Sequence, residues 1–233
     1  MHLSSILLHT DQFPTRNSYP FDRQVLQETR QIPLTAPVTF FVGENGAGKS
    51  TLLEAVARKC GIHIWKEIPR LRYESNPHEE NLHRYLSVKW VDQPVPGAFF
   101  ASSMFRCFAE SLDEWASTDP GLLKYFGGKS LVTQSHGESL MSYFRARYSI
   151  TGLYFLDEPE TALSPRNQVV LLRILEEMSE AGHAQFIVAT HSPILMACRD
   201  ASILSFDHIP IEPIPYEDTD HYRVYKDFLD SIR

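Results

Sequence analysis

The sequence predicts an α/β fold built on a mainly parallel sheet, with a mostly helical lobe inserted into it. Three observations carry that prediction. Four short apolar runs are rich in β-branched or aromatic residues: VTFFV (38–42), GLYFL (152–156), AQFIVAT (184–190) and ASILSF (201–206). Such runs read as buried strands. Helical patterns follow the first two runs, and strands that alternate with helices favour parallel pairing. The stretch between the first two runs carries Pro69, Pro77, Pro94, Pro96 and Pro120 and reads differently from the rest.

The elements follow in order. After the first run, Leu52, Leu53, Val56 and Cys60 share one helical face, and Gly61 is placed as a C-cap. Residues 62–134 read as an irregular, mostly helical region, with Phe100, Met104, Phe108, Leu112 and Trp115 as its apolar stripe. After the second run, Leu171, Ile174, Leu175 and Met178 repeat at helical spacing, and Gly182 ends the helix. The acidic tail from Asp207, with PIEPIPYEDTDHY, is expected to wrap the surface and end in a short helix. The expected organisation is one domain: a core of 1–61 and 150–206, a lobe of about 62–149, and a C-terminal acidic segment, 207–233.

Composition narrows the function classes. The 233 residues are 43% hydrophobic and 22% charged, ordinary values for a chain that buries a core without disulfides or metals. No apolar run approaches the roughly 18–20 residues of a membrane span, so no integral membrane segment is expected. The N-terminal MHLSSILLHTDQF has no Lys or Arg ahead of its apolar patch and does not read as a signal peptide. Cys60, Cys107 and Cys198 are odd in number and widely spaced, which fits a reduced, cytoplasmic setting. A net charge of −7 counts against a surface that wraps nucleic acid and leaves direct binding to a local basic patch.

The chemistry concentrates at the ends of the runs. GENGAGKS (43–50) follows the first run and opens the first helix, fitting G-x-x-x-x-G-K-[ST]. Glycines let the backbone N–H groups of Gly43, Glu44, Asn45, Gly46, Ala47 and Gly48 curl around phosphate oxygens, and the helix start adds a positive dipole end. Lys49 is expected to reach the β- and γ-phosphates, Ser50 to hold Mg²⁺, and Thr51 to meet the α-phosphate. A glycine-rich turn that only caps a helix is the bland alternative, and its placement between strand and helix counts against it.

GLYFLDEPE ends its strand in Asp157 and Glu158. Ligands of open α/β sheets sit beyond the carboxyl ends of strands. Asp157 is the natural Mg²⁺ partner, through a water, and Glu158 the base or orienter for an attacking water. Neighbouring strand residues point to opposite sides, so the turn at Pro159 must re-aim one of the two. His191 ends the third run, 34 residues after Asp157, where it would contact a γ-phosphate and sense hydrolysis.

These pieces together resemble the ATP-binding cassette (ABC) ATPases, with their P-loop NTPase core, in the form of small stand-alone members. FFVGENGAGKSTLLEA, LDEPETALSP, ATHSPILMA and YEDTDHY look like a bacterial group of short AAA-labelled, ABC-like ATPases. The family carries a signature, commonly LSGGQ, at a helix start before the acidic strand. SHGES (135–139), which begins 22 residues before Asp157, is the candidate here. Ser135 and Gly137 match that signature, while His136 and Glu138 depart from it. The resemblance implies that two chains sandwich two ATP molecules, so that Ser135, Gly137 and Glu138 meet the γ-phosphate bound to the partner copy. A capping box, Ser135-x-x-Glu138 ahead of Leu140, Met141, Phe144 and Tyr148, explains the same residues without a ligand. Ser164 stands where the family commonly has Asp. No glutamine loop is evident; Phe105–Arg106 falls in the equivalent region. Tyr19 or Phe21 would stack on adenine or simply pack. The resemblance implies an ATP-driven homodimer that acts on an effector, with nucleic-acid metabolism or defence as candidate settings; a transporter's ATP-binding subunit and a nucleotide-bound scaffold are the alternatives.

Overall fold

The structure is a computed structural model that describes residues 1–65, 76–126, 128–133 and 136–232. Strand β1 (Leu3–Leu8), helix α1 (Gln24–Glu28) and strand β2 (Gln31–Pro33) precede the glycine-rich loop. Strand β3 (Val38–Val42) leads into helix α2 (Lys49–Lys59). Strands β4 (Leu86–Trp90) and β5 (Gly97–Ala101) come next, then helices α3 (Phe105–Thr118) and α4 (His136–Tyr148). The chain continues through β6 (Gly152–Asp157), α5 (Pro165–Glu180), β7 (Ala184–Ala189), α6 (Pro193–Met196), β8 (Ser202–Ser205), β9 (Glu212–Pro213) and α7 (Asp220–Ser231).

The four runs become β3, β6, β7 and β8 in a six-stranded sheet of order β5-β6-β7-β3-β8-β9. Every pairing is parallel except β8 with β9. Central parallel strands are covered on both faces, which is why these runs are apolar at consecutive positions. Alternate residues serve opposite sides: Phe41, Phe155 and Ile187 join one core cluster, and Phe40, Leu156 and Val188 the other. The register matters most for function. Ala101 pairs with Asp157, Asp157 with Ala189, Phe41 with Ala189, and Val42 with Ser205. The residues just beyond these positions therefore emerge side by side along one edge of the sheet.

Two layers cover the sheet. Helix α2 lies between it and a three-stranded antiparallel sheet of order β2-β1-β4. Leu52, Leu53 and Val56 are fully buried there. The helix ends as expected: Gly61, at φ +73°, donates to Arg58 O, and Ile62 N donates to Ala57 O, the paired bonds of a Schellman turn. On the other face, Leu140, Met141, Phe144 and Tyr148 of α4 pack with Leu171, Ile174 and Leu175 of α5.

The expectation for residues 62–134 needs correction. Residues 86–90 and 97–101 are strands, and β5 is an edge of the central sheet rather than part of a helical region. Phe100 belongs to β5, so within that stripe only Phe108, Leu112 and Trp115 share α3, and Trp115 is exposed. A short apolar run fits either period, and the i+4 spacing from Phe100 is accidental. Among the described residues, no helix is long and apolar enough to cross a membrane.

Candidate nucleotide site

The loop after β3 is shaped by its glycines. Gly43, Gly46 and Gly48 have φ of +140°, +80° and +104°, conformations that L side chains rarely adopt. Gly48 occupies the N-cap of α2, so the first N–H groups of that helix open toward the loop. Lys49 is 5% exposed, and its Nζ donates to Gly43 O at 2.7 Å and Glu44 O at 2.9 Å. Burial lowers its pKa, while the carboxylates of Glu158, Asp207, Asp157 and Glu44 oppose that shift. The ammonium is thus held in a dry position by acceptors that a phosphate can replace.

Asp157 ends β6 with its Oδ1 accepting from Ser50 Oγ at 2.7 Å. Adjacent ligands of an octahedral Mg²⁺, each at about 2.1 Å, stand about 3 Å apart, so these two oxygens fit neighbouring positions around that ion. Burial pushes the Asp157 carboxyl up to about 7, a shift the Ser50 hydroxyl opposes and Glu158 adds to. A nearby cation favours the carboxylate.

Glu158 is re-aimed as the sequence requires, but by its own backbone. Its φ of 45° and ψ of 53° are left-handed, a strained geometry for a non-glycine residue that costs about 1–2 kcal/mol. Four bonds hold it: Glu158 N donates to Ala189 O at 2.9 Å, and Glu158 O accepts from Ser102 Oγ at 2.8 Å, Thr161 Oγ1 at 2.9 Å and Thr161 N at 3.2 Å. The side chain is left 41% exposed, with Oε1 4.0 Å from His191 Nε2. His191 follows β7, and its N–H donates to Glu160 Oε1 at 2.6 Å. Burial pushes its imidazole down, and Lys49 and His221 push it further. Its Nε2 is buried without a hydrogen-bond partner among the described residues.

The structure thus brings together the loop 43–50, Asp157, Glu158 and His191. It places the other candidates elsewhere. Ser135 lies outside the described residues, and with it the proposed Ser135–Glu138 cap. Gly137 and Glu138 open α4 and line a cleft of about 580 Å³ with Lys129, Arg145 and Asn167. A Cβ on Gly137 would sit 2.8 Å from Asn167 Nδ2, so this glycine allows α4 to approach the start of α5. Ser164 caps α5, accepting from Asn167 N at 3.3 Å. Phe21 is fully buried against Phe13 and Tyr85 and packs rather than stacking on a base. The Tyr19 hydroxyl is 2.9 Å from Thr51 Oγ1.

Four neighbours of the site went unread in the sequence. Asp207, just past β8, accepts from Glu44 N at 2.8 Å and clamps the loop. Its signal, an acid directly after an apolar run, is the one that marks Asp157. Glu160 is a half-buried acid whose carboxylate accepts from the His191 backbone N–H. Ser102 follows β5 beside Glu158. His221, from α7, contacts His191 at 2.7 Å; it lies within YEDTDHY, but nothing local in that stretch places it beside His191.

Comparisons with known proteins bear on the fold and the relationship of the chain. A family model described as "AAA domain" matches residues 18–76, and one described as "AAA domain, putative AbiEii toxin, Type IV TA system" matches 139–197. The chain is 25% identical over 190 residues to the zinc import ATP-binding protein ZnuC of Halorhodospira halophila, covering 80% of this chain and 69% of that one. It is 22% identical over 188 residues to the probable siderophore transport system ATP-binding protein YusV of Bacillus subtilis, covering 73% and 68%. The chain spans about two thirds of the length of these curated relatives. In structure it is similar to cbiO1 of Clostridium perfringens, part of the ABC transporter complex cbiONQ, with a TM-score of 0.52, 15% identity, and coverage of 100% and 95%.

Proposed function

We propose that this chain, a small ABC-like P-loop ATPase by fold and relationship, binds Mg-ATP at residues 43–51 and hydrolyses it as an ATP-sandwiched homodimer. One observation carries the reading: the sheet register sets Lys49, the Ser50–Asp157 pair, Glu158 and His191 around one point beyond the strand ends. In this reading, loop N–H groups and Lys49 bind the phosphates. Ser50 and Asp157 hold Mg²⁺, which neutralises phosphate charge. Glu158 accepts a proton from, or orients, the attacking water. His191 contacts the γ-phosphate. Ser135, together with Gly137 and Glu138 from the first turn of α4, meets the γ-phosphate of the partner copy, and the cations Lys129 and Arg145 beside Gly137 suit an anion there. The setting is the cytoplasm. The dimer acts as a switch on an effector protein; the toxin–antitoxin wording of one matching family supports defence as its context.

The test is Glu158→Gln. It keeps the side-chain shape and removes the base, so Mg-ATP should drive a stable dimer while phosphate release falls by about 100-fold or more. A variant that stays monomeric at saturating Mg-ATP and high protein concentration defeats the sandwich. Steady-state phosphate release from the wild type, with Lys49→Ala as the control, separates an enzyme from a scaffold. The import proteins among the relatives favour a second reading, an ATP-binding subunit for a membrane partner. Co-sedimentation of the native protein with membranes supports it; an ATP-dependent complex confined to the soluble fraction opposes it.

A further inference from the structure

Helix α7 reaches the site through its first turn. Thr219 caps it, accepting from Tyr222 N at 3.2 Å. The Tyr216 hydroxyl, just before the helix, donates to Pro193 O at 2.9 Å, and the Tyr216 and Tyr222 rings are 4.7 Å apart. These contacts fix the start of α7 over α6 while Val224, Tyr225, Phe228 and Leu229 further along stay exposed. His221, in that anchored turn, places its Nε2 2.7 Å from His191 Nδ1.

That distance constrains the protons. Burial and then Lys49 push both imidazoles down, so both are neutral at pH 7 and each carries one N–H. The groups facing the pair are Lys49, Glu158 and Glu44 on the His191 side, with Asp207 and Asp220 on the His221 side. A 2.7 Å contact between two nitrogens needs one hydrogen between them, supplied by one ring or the other. If His191 donates, its Nε2 becomes a lone pair, buried and 4.0 Å from the Glu158 carboxylate. If His221 donates, His191 presents Nε2–H to that carboxylate and to any phosphate held by Lys49. Carboxylate and phosphate oxygens accept hydrogen bonds, so they select the second arrangement.

We propose that His221 is a positioning residue for His191: its Nε2–H donates to His191 Nδ1 and holds the tautomer whose Nε2–H faces the γ-phosphate site. The assignment rests on the ATPase reading above and adds the C-terminal helix to the hydrolytic machinery. It makes the docking of α7 a condition for a productive His191.

The experiment compares wild type, His221→Ala and His221→Gln in the full chain. A glutamine amide places an N–H donor near the position of the lost imidazole Nε2–H. His221→Ala should lower kcat by about 10- to 100-fold, the order of effect of removing the hydrogen-bond partner that orients a metal-bound histidine. KM for Mg-ATP should change little, and His221→Gln should recover most of the lost kcat. Imidazole ¹H–¹⁵N spectra should show His191 as the Nε2–H tautomer in wild type and His221→Gln, and a mixture in His221→Ala. Equal turnover in His221→Ala, no recovery in His221→Gln, or an Nδ1–H tautomer in wild type overturns the proposal. If wild type releases no more phosphate than Lys49→Ala, the ATPase reading fails, and the tautomer spectra alone decide the role of His221.

Discussion

Asp207 shows how one carboxylate acts on the phosphate loop in two opposed ways. Its Oδ1 accepts from Glu44 N at 2.8 Å, and a Cβ on Gly43 would come within 2.9 Å of the same oxygen. The contact therefore holds the loop and requires a glycine beside it. The charge also lies near Lys49, where it competes with phosphate. Asp207→Asn and Asp207→Ala both remove the charge, but only Asn keeps an acceptor. The difference between them isolates the clamp. A hydrogen bond contributes about 0.5–1.5 kcal/mol, so Asp207→Asn should bind Mg-ATP about 2- to 10-fold more tightly than Asp207→Ala. Titration calorimetry at fixed salt reads this directly, and equal affinities would show that the clamp contributes nothing.

Strand β5 and helix α4 each contain a glycine against a neighbour, with different consequences. A Cβ on Gly97 would lie 2.1 Å from Leu153 O and 2.5 Å from Ile62 Cδ1. The first atom is sheet backbone and cannot move aside. Gly97→Ala must push β5 away from β6, at a cost of about 3 kcal/mol. Gly137→Ala meets only the end of the Asn167 side chain, so its cost should stay below about 1 kcal/mol. Urea unfolding of the two variants tests the contrast, and similar midpoints would refute it. The same elements show why some strands are legible in the sequence and others are not. β3, β6, β7 and β8 are covered on both faces, so their runs are mainly apolar, broken only by residues such as Thr39, Gln185, Ser202 and Ser205, and stand out. β5 is hidden because Phe100 also fits helical spacing with Met104 and Phe108, and β1 because the adjacent Ser4 and Ser5 interrupt its apolar residues. The loop 43–50, Asp157 and Glu158 were legible because local spacing encodes them. Ser102 and His221 were not, because only sheet register and the docking of α7 bring them to the site.

For the molecule as a whole, the site lies where the sheet strands end and α2 begins, so a ligand there ties separate parts of the chain together. The loop belongs to β3 and α2, the carboxylates to β6, His191 to β7 and Asp207 to β8. Unfolding any of these strands destroys the site, so binding free energy adds to global stability. Mg-ATP at about 100 times its Kd should add about 2.7 kcal/mol. For a chain of this size that raises Tm by about 5–10 °C. Lys49 decides whether the shift comes from the phosphate loop. Burial opposes its charge, and its Nζ is satisfied by two backbone carbonyls of a loop on the protein surface edge of the sheet. Lys49→Ala removes a desolvated cation as well as those bonds, effects of opposite sign, so the ligand-free Tm should change little. With Mg-ATP its shift should vanish. Chelating Mg²⁺ in the wild type should leave only part of the shift, because Asp157 then faces phosphate without a cation between them. An undiminished shift in Lys49→Ala would place ATP somewhere other than residues 43–51.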